Sequence, residues 1–420
     1  MGIYSKEEIL DFIKEHDVRF VRLAFCDIFG QLKNIAVSVS TLQYAFEDGV
    51  RFNASQIRGF LNVEESDLLL FPDPNTMTIL PWRPTQGSVI RFYCNIKRTN
   101  GEYFEGDCRH LLKQTEEELF HKGYEVFLGT ELEFYLFKLD EEGNPTLNPM
   151  DKGSYLDTSP LDKGENIRRE ICLTMEEMGL KFESSHHEKG NGQNEVVFQH
   201  SFLFEAADNV ITFKALVKTL AAKNGLYASF LPKPLLDQAG SGFHINLSIK
   251  KDELNFCKIR DYAIAGILKH IKEITVFLNP IMNSYERLGS YDAPNEVNSG
   301  TGNRGLLIRI PMGTKKDAER LELRSADAAC NPYIAATLLA KAAIEGIENK
   351  LAVKDYQTGE ALPINLLEAV KIAESSEFIN SNLPHHLVSC FLKAKKQDWE
   401  KAINTENPIQ TAKAMEFEVT

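Results

Sequence analysis

Residues 124–137 read YEVFLGTELEFYLF, an apolar, strand-like run broken by Glu131 and Glu133. Side chains two apart on a strand face the same way, so the two carboxylates stand side by side. Neighbouring like charges are costly unless a cation neutralises them or one takes up a proton. A solvent-facing pair on an edge strand would satisfy the same pattern.

Working outward, strand-like and helix-like segments alternate downstream of this run. The spacing predicts strands at 126–137, 193–200, 227–231, 242–250, 305–311 and 319–325. It predicts helices at 110–122, 164–178, 206–224, 258–279 and 332–349, the last opened by the cap and first-turn pair Asn331-Pro332. Upstream, 17–99 reads as strands and turns, and Ser5 with Glu8 as a capping box opening a short helix. A boundary near 100–105 gives two expected domains, 1–104 and 105–420. The expected class is α+β, with a catalytic domain on a largely antiparallel sheet. No GxxxxGK[ST] or GxGxxG follows a strand, so neither common nucleotide-loop fold is signalled.

A net charge of −13 argues against a general nucleic-acid binder, which needs excess Lys and Arg to neutralise phosphates. No apolar run approaches the ~20 residues that span a bilayer, and the opening MGIYSKEEILDF does not read as a signal peptide. Seven cysteines, with no CxxC pair, read as reduced thiols. A cytoplasmic protein is the expectation.

Three further segments carry chemistry. In 320–324, RLELR, Arg320, Glu322 and Arg324 share a strand face; a salt-bridge ladder or a site handling metal and phosphate together both fit. Residues 186–195, HHEKGNGQNE, gather two histidines and two glutamates around a Gly-rich turn. Residues 239–248, AGSGFHINLS, lead a small-residue loop into a strand with His244, Asn246 and Ser248 on one face. Carboxylate-rich ligands with one imidazole favour Mg²⁺ or Mn²⁺ over zinc. Arg287, Arg304, Arg309, Arg320 and Arg324 supply grips for phosphate or carboxylate. Together these point to a metal-dependent, ATP-linked enzyme acting on a small carboxylate.

With these segments read, the chain resembles the type I glutamine synthetases (glutamate–ammonia ligases). The resemblance runs through IRGFLNVEESDLLLFPDPNT, LPWRP, GDCRHLLK, GTELEFYLF, HHEKGNGQNEV, EAADNVITFKALVKTLA, GSGFH, NPIMNSYERL, NRGLLIRIP and RLELRSADAACNPYIAATLLA. It implies a small N-terminal β-grasp-like domain, a catalytic domain, and a dodecamer of two hexameric rings with sites between subunits. It implies two or more Mg²⁺ or Mn²⁺ ions per site, with Glu133, Glu188 and Glu195 on the first and Glu131, His244 and Glu322 on the second. Arg287, Arg324 and Gly240 match residues that hold glutamate. Arg304, Arg309 and Arg320 match residues near the ATP phosphates, and Glu183 and Ser248 match ATP contacts. Tyr155 and Glu188 match the ammonium pocket. The implied reaction makes γ-glutamyl phosphate from ATP and glutamate, then an amide from ammonia.

Departures from the family pattern cluster on the second step. Asn53 stands where an aspartate is usual, and Asp292 where the flap carries a glutamate, in a loop one residue shorter. Asn246 replaces a histidine and Ala239 an asparagine. Asn53 and Asp292 are therefore candidate catalytic residues together with Arg304. Two alternatives follow from these departures: a γ-glutamylamide synthetase using an organic amine, and a non-catalytic relative.

Overall fold

The computed structural model describes residues 5–83, 87–252, 254, 256–313 and 320–417. Residues 1–4 of the opening segment, Pro84 of the LPWRP turn and residue 319 of the expected 319–325 strand lie outside them. The Glu8 amide donates to Ser5 Oγ at 3.2 Å and the Ser5 amide to Glu8 Oε2 at 2.7 Å, so the expected capping box is formed. The helix it opens, Lys6–Glu15, buries Ile9 and Ile13 one turn apart on a single face.

Six strands within residues 18–98 form the first sheet. Their order is Leu32–Ser38, Val18–Cys26, Ser88–Arg98, Asp67–Pro72, Val50–Asn53, with Thr78–Ile79 also on Ser88–Arg98. Pairing is antiparallel except between Val18–Cys26 and Ser88–Arg98.

The second sheet has ten strands. Its main order is Ser299–Thr301, Ile308–Ile310, Leu321–Leu323, Phe243–Lys251, Tyr124–Leu139, Gln193–Phe198, Phe182–His187. Pro145–Pro149, Ser201–Phe202 and Leu226–Ser229 also pair with Tyr124–Leu139. Only Ser299–Thr301 and Ile308–Ile310 run parallel. The 16-residue strand Tyr124–Leu139 is thus the spine of this sheet, which removes the edge-strand reading of Glu131 and Glu133.

Buried helices support this sheet. Leu203–Lys223 packs on Tyr124–Leu139, and Pro332–Glu348 packs on both Leu203–Lys223 and Arg260–Leu278. Helices Arg260–Leu278 and Pro332–Glu348 cross with Gly266 against Gly346: a methyl group on Gly266 would strike the Ala342 carbonyl, and one on Gly346 the Tyr262 carbonyl. Backbones this close admit no side chain larger than hydrogen. The expected helices match these elements to within a few residues. The 351–420 segment adds Leu366–Glu374, Glu377–Asn382, His385–Ile403 and Pro408–Phe417, which the sequence reading did not resolve. No described helix is long and apolar enough to cross a membrane.

A buried ionic cluster ties the two sheets together. Arg109, at the start of helix Cys108–His121, donates from Nε and Nη2 to Asp208 at 3.0 and 2.9 Å, and from Nη2 to Asp73 at 3.1 Å. Tyr333 donates to Asp208 Oδ1 at 2.7 Å. Asn331 accepts from the Tyr333 amide at 3.0 Å, capping its helix. Its Nδ2 reaches the carbonyls of Asp27 and Ile28, both at 3.2 Å. At the other end of the chain, Glu416 accepts from the amides of Met282 and Asn283 at 2.9 and 3.1 Å, holding helix Met282–Arg287.

Candidate active site

Sheet register assembles the site. Glu131 lies opposite His244, and Glu133 opposite Glu195, which lies opposite His186 on the next strand. On the other side, Glu322 lies opposite both Asn246 and Arg309. Directly opposed residues share a face, so six strands place carboxylates, imidazoles and a guanidinium on one surface.

The polar contacts follow the register. Glu131 meets His244 Nδ1 at 3.2 Å and accepts from Asn246 Nδ2 at 2.8 Å. Glu133 Oε2 accepts from the Gly242 amide at 2.8 Å and from Gln193 Nε2 at 3.1 Å. Gly242 leaves room there: a β-carbon would press on Arg287 Nη2 and His244 Nε2 at 2.6 and 2.7 Å and push both side chains aside. Glu188 meets His186 Nε2 at 3.0 Å, and Glu195 lies 3.5 Å from the same nitrogen. Glu322, fully buried, accepts from Arg309 and from Arg324. Arg324 Nε in turn donates to the Arg304 carbonyl at 2.7 Å. Arg287 is buried, with Nη1 on the carbonyls of Ser325 and Ala326 at 2.8 and 3.1 Å.

Crowded charge divides these carboxyls. Burial pushes Glu131 up, but the His244 hydrogen bond and charge, Asn246 and Arg324 outweigh it and hold it at about 2. Burial raises Glu133, assisted by the Glu188 charge. Burial and the charges of Glu131, Glu133 and Glu188 drive Glu195 well above the carboxylate range. Glu188 is lowered: burial is outweighed by hydrogen bonds from His186, Glu195 and the Lys189 amide.

Two triads among the described residues bring donor atoms within 4.8 Å of one another at this face: Glu131, His244, Glu322, and His186, Glu188, Glu195. Their carboxylate-rich donor sets fit a hard divalent ion. The first triad is the expected second-ion set. In the other, His186 takes the place expected of Glu133, whose Oε1 stands 3.9 Å from His244 Nε2. A third triad, Asp151, Asp162 and His187, lies apart and is satisfied by protein donors: Asp151 by His187 and the amides of Gly153, Lys163 and Gly192, Asp162 by Arg168 and the Gly164 amide. Adjacent histidines on a strand point to opposite faces, so His186 enters the site and His187 the interior.

Glu131, Glu133, His186, Glu188, Glu195 and His244 line a cavity of about 420 Å³. Its wall includes Tyr155, Glu188, Gly240, Arg287, Arg304, Arg309, Arg320 and Arg324, and its mouth Lys189, Tyr291 and Asp292. Asp292 sits in the 288–293 loop and forms an ion pair with Lys189. Tyr291 OH donates to the Asp237 carbonyl at 2.6 Å. Four expected site residues do not line this cavity. Glu322 is fully buried, its carboxylate held by Arg309 and Arg324. Asn53 is exposed on the first sheet, its Oδ1 accepting from the Ser55 amide at 3.0 Å. Glu183 is exposed on the edge strand Phe182–His187. Ser248 lies opposite Phe127, two rungs beyond Asn246 on the same face. The sequence reading did not single out Lys189 or Gln193, which stand too far along the chain from their partners to announce them.

Residues 17–99 match the family model described as glutamine synthetase, beta-Grasp domain, and residues 105–414 that of glutamine synthetase, catalytic domain. A protein named glutamine synthetase from Methanosarcina mazei is 42% identical, with 94% of each chain covered. One of the same name from Clostridium saccharobutylicum is 40% identical over 95% of this chain and 96% of its own. A solved structure titled GmaS/ADP complex superposes with a TM-score of 0.84 at 27% identity, covering 97% of this chain and 99% of the other.

Proposed function

The chain belongs to the glutamine synthetase family, and on that premise we propose an ATP-dependent glutamate–ammonia ligase working through γ-glutamyl phosphate. One observation carries the reading: two carboxylate–imidazole triads and five arginines converge on a single cavity. In this reading Arg287, Arg324 and the Gly240 backbone hold the substrate glutamate, two charges gripped by fixed donors. Arg304, Arg309 and Arg320 face the phosphates, and Glu183 and Ser248 extend the nucleotide track. The substrate γ-carboxylate attacks the γ-phosphorus and ADP leaves; amine nitrogen then attacks the acyl carbon, phosphate leaves and the nitrogen loses a proton.

Glu131, His244 and Glu322 would hold one divalent ion, and Glu188 and Glu195 with His186 or Glu133 another; Mg²⁺ or Mn²⁺ suits these donors. Such ions neutralise charge on a transferring phosphoryl group. The protein's own part is orientation: Arg309 and Arg324 hold Glu322 from both sides, and Asn246 fixes Glu131. Tyr155, Glu188 and Asp292 border the amine side of the cavity. Asn53, exposed on the first sheet, would reach the site of a neighbouring copy in a dodecamer, as the resemblance implies.

A second reading, an organic amine in place of ammonia, is favoured by Asn53. An amide cannot supply the charge or accept the proton that a carboxylate would. The test is ATP- and glutamate-dependent phosphate release with ammonia and a panel of alkylamines and amino alcohols, repeated in Asn53→Asp. Ammonia leading in the wild type supports the ligase reading. An organic amine ahead by about tenfold or more, with Asn53→Asp restoring ammonia, would replace it with the second.

A further inference from the structure

We propose that Lys189 is a specificity-determining residue, a built-in cation that occupies the anionic seat offered by Asp292 at the amine side of the cavity; the inference rests on the ligase reading above. Lys189 follows Glu188 in the turn between strands Phe182–His187 and Gln193–Phe198. Its amide donates to Glu188 Oε2 at 2.9 Å, and the turn is fixed by the Gly190 amide on Gln193 Oε1 at 2.9 Å. Asp292 arrives from the opposite rim. Its loop is held by Tyr291 OH on the Asp237 carbonyl, by the Gly289 amide on the Ala293 carbonyl at 3.1 Å, and by Ser290 Oγ on the Arg287 carbonyl at 2.7 Å. Two anchored backbones therefore bring the ammonium group and the carboxylate together across the cavity mouth, beside Tyr155 and Glu188.

The chemical consequence is selective. An incoming ammonium ion meets a carboxylate already neutralised and a like charge beside it, and must displace Lys189 to be held there. A neutral nitrogen nucleophile meets no such competitor. Both partners are about half exposed, and exposed pairs are individually weak, so the expected effect is a factor of about three to five.

The experiment compares wild type, Lys189→Met and Lys189→Arg with ammonium and with hydroxylamine, which is uncharged in mildly alkaline buffer. The readout is the ratio of kcat/KM for ammonium to that for hydroxylamine. The ratio is expected to rise about three- to fivefold in Lys189→Met and to stay at the wild-type value in Lys189→Arg. An unchanged ratio in Lys189→Met, or an equal rise in Lys189→Arg, overturns the proposal. Absence of hydroxamate from all three proteins would instead bring down the ligase reading. Lys189 is then decided without turnover, by titrating methylammonium chloride against sodium chloride into the magnesium- and ADP-loaded protein. Tighter binding in Lys189→Met by the same factor supports the proposal, and equal affinity overturns it.

Discussion

Two of the molecule's buried charge clusters are of opposite design. In the one joining the sheets, Arg109 sits between Asp73 and Asp208, Tyr333 adds a second donor to Asp208 Oδ1, and the Asn75 amide serves the remaining oxygen of Asp73. Asp208 raises the Arg109 guanidinium against the opposing effect of burial. At the cavity, Glu131, Glu133, Glu188 and Glu195 face one another with imidazoles between them, and Glu195 is driven toward its neutral form. A cluster whose oxygens all meet donors is a staple. A cluster with surplus carboxylate is a receptacle for cations, held open at a cost in stability.

The contrast is open to breaking at its strong end first. Arg109→Met leaves the buried Asp73 and the partly buried Asp208 without their cation, so urea unfolding should show a loss of about 3–5 kcal/mol. A loss of the size usual for a surface substitution would reduce the staple to decoration. Next comes Glu416, a carboxyl held mainly by two amides. Burial, opposed by the Met282 and Asn283 amides, raises it from 4.5 to about 7. A raised folded value means a contribution to stability that is complete below about pH 4.5 and lost as pH rises through about 7. The stability of wild type relative to Glu416→Gln should therefore fall by about 1–3 kcal/mol between about pH 5 and about pH 8. A flat difference would show that this carboxyl is not strained by ionisation. The smallest change should come from Glu195→Gln, which puts a permanently neutral group where burial and the neighbouring carboxylates oppose a charge. Without metal the variant should unfold about 1 kcal/mol later than wild type, while magnesium affinity falls by at least about tenfold. Destabilisation of the metal-free variant would mean that the cavity carboxylates are balanced after all.

How much of this was legible depended on what each residue had to contrast with. Glu131 and Glu133 stood out because the strand around them is apolar. The caps at Ser5 and Asn331 are local chemistry and were read directly. Segment Phe182–His187 was not read as a strand, since FESSHH has no apolar alternation: its site-facing side is polar because it carries His186 toward the cavity. Arg109 gave no signal in GDCRHLLK, because an arginine near a helix start is ordinarily exposed. The pairing of Lys189 with Asp292, 103 residues apart, has no local signature at all. The assignment of roles within the cavity came from resemblance rather than from periodicity, and the four C-terminal helices went unseen.

Strand register carries a last consequence, for the order in which the molecule is made. Glu131 meets a partner 113 positions later in the chain, and that strand's other edge is completed only by Leu321–Leu323, which brings Glu322. Contacts so remote in sequence close late, because chain entropy must be lost before they return any free energy. A ribosome must therefore release the chain through Leu323 before the set of Glu131, His244 and Glu322 exists, whereas His186, Glu188 and Glu195 lie close together on adjacent strands and the turn between them. At the long-range set a metal ion has no early nucleus to seize; it can only lock a topology that apolar strands and helices have already found.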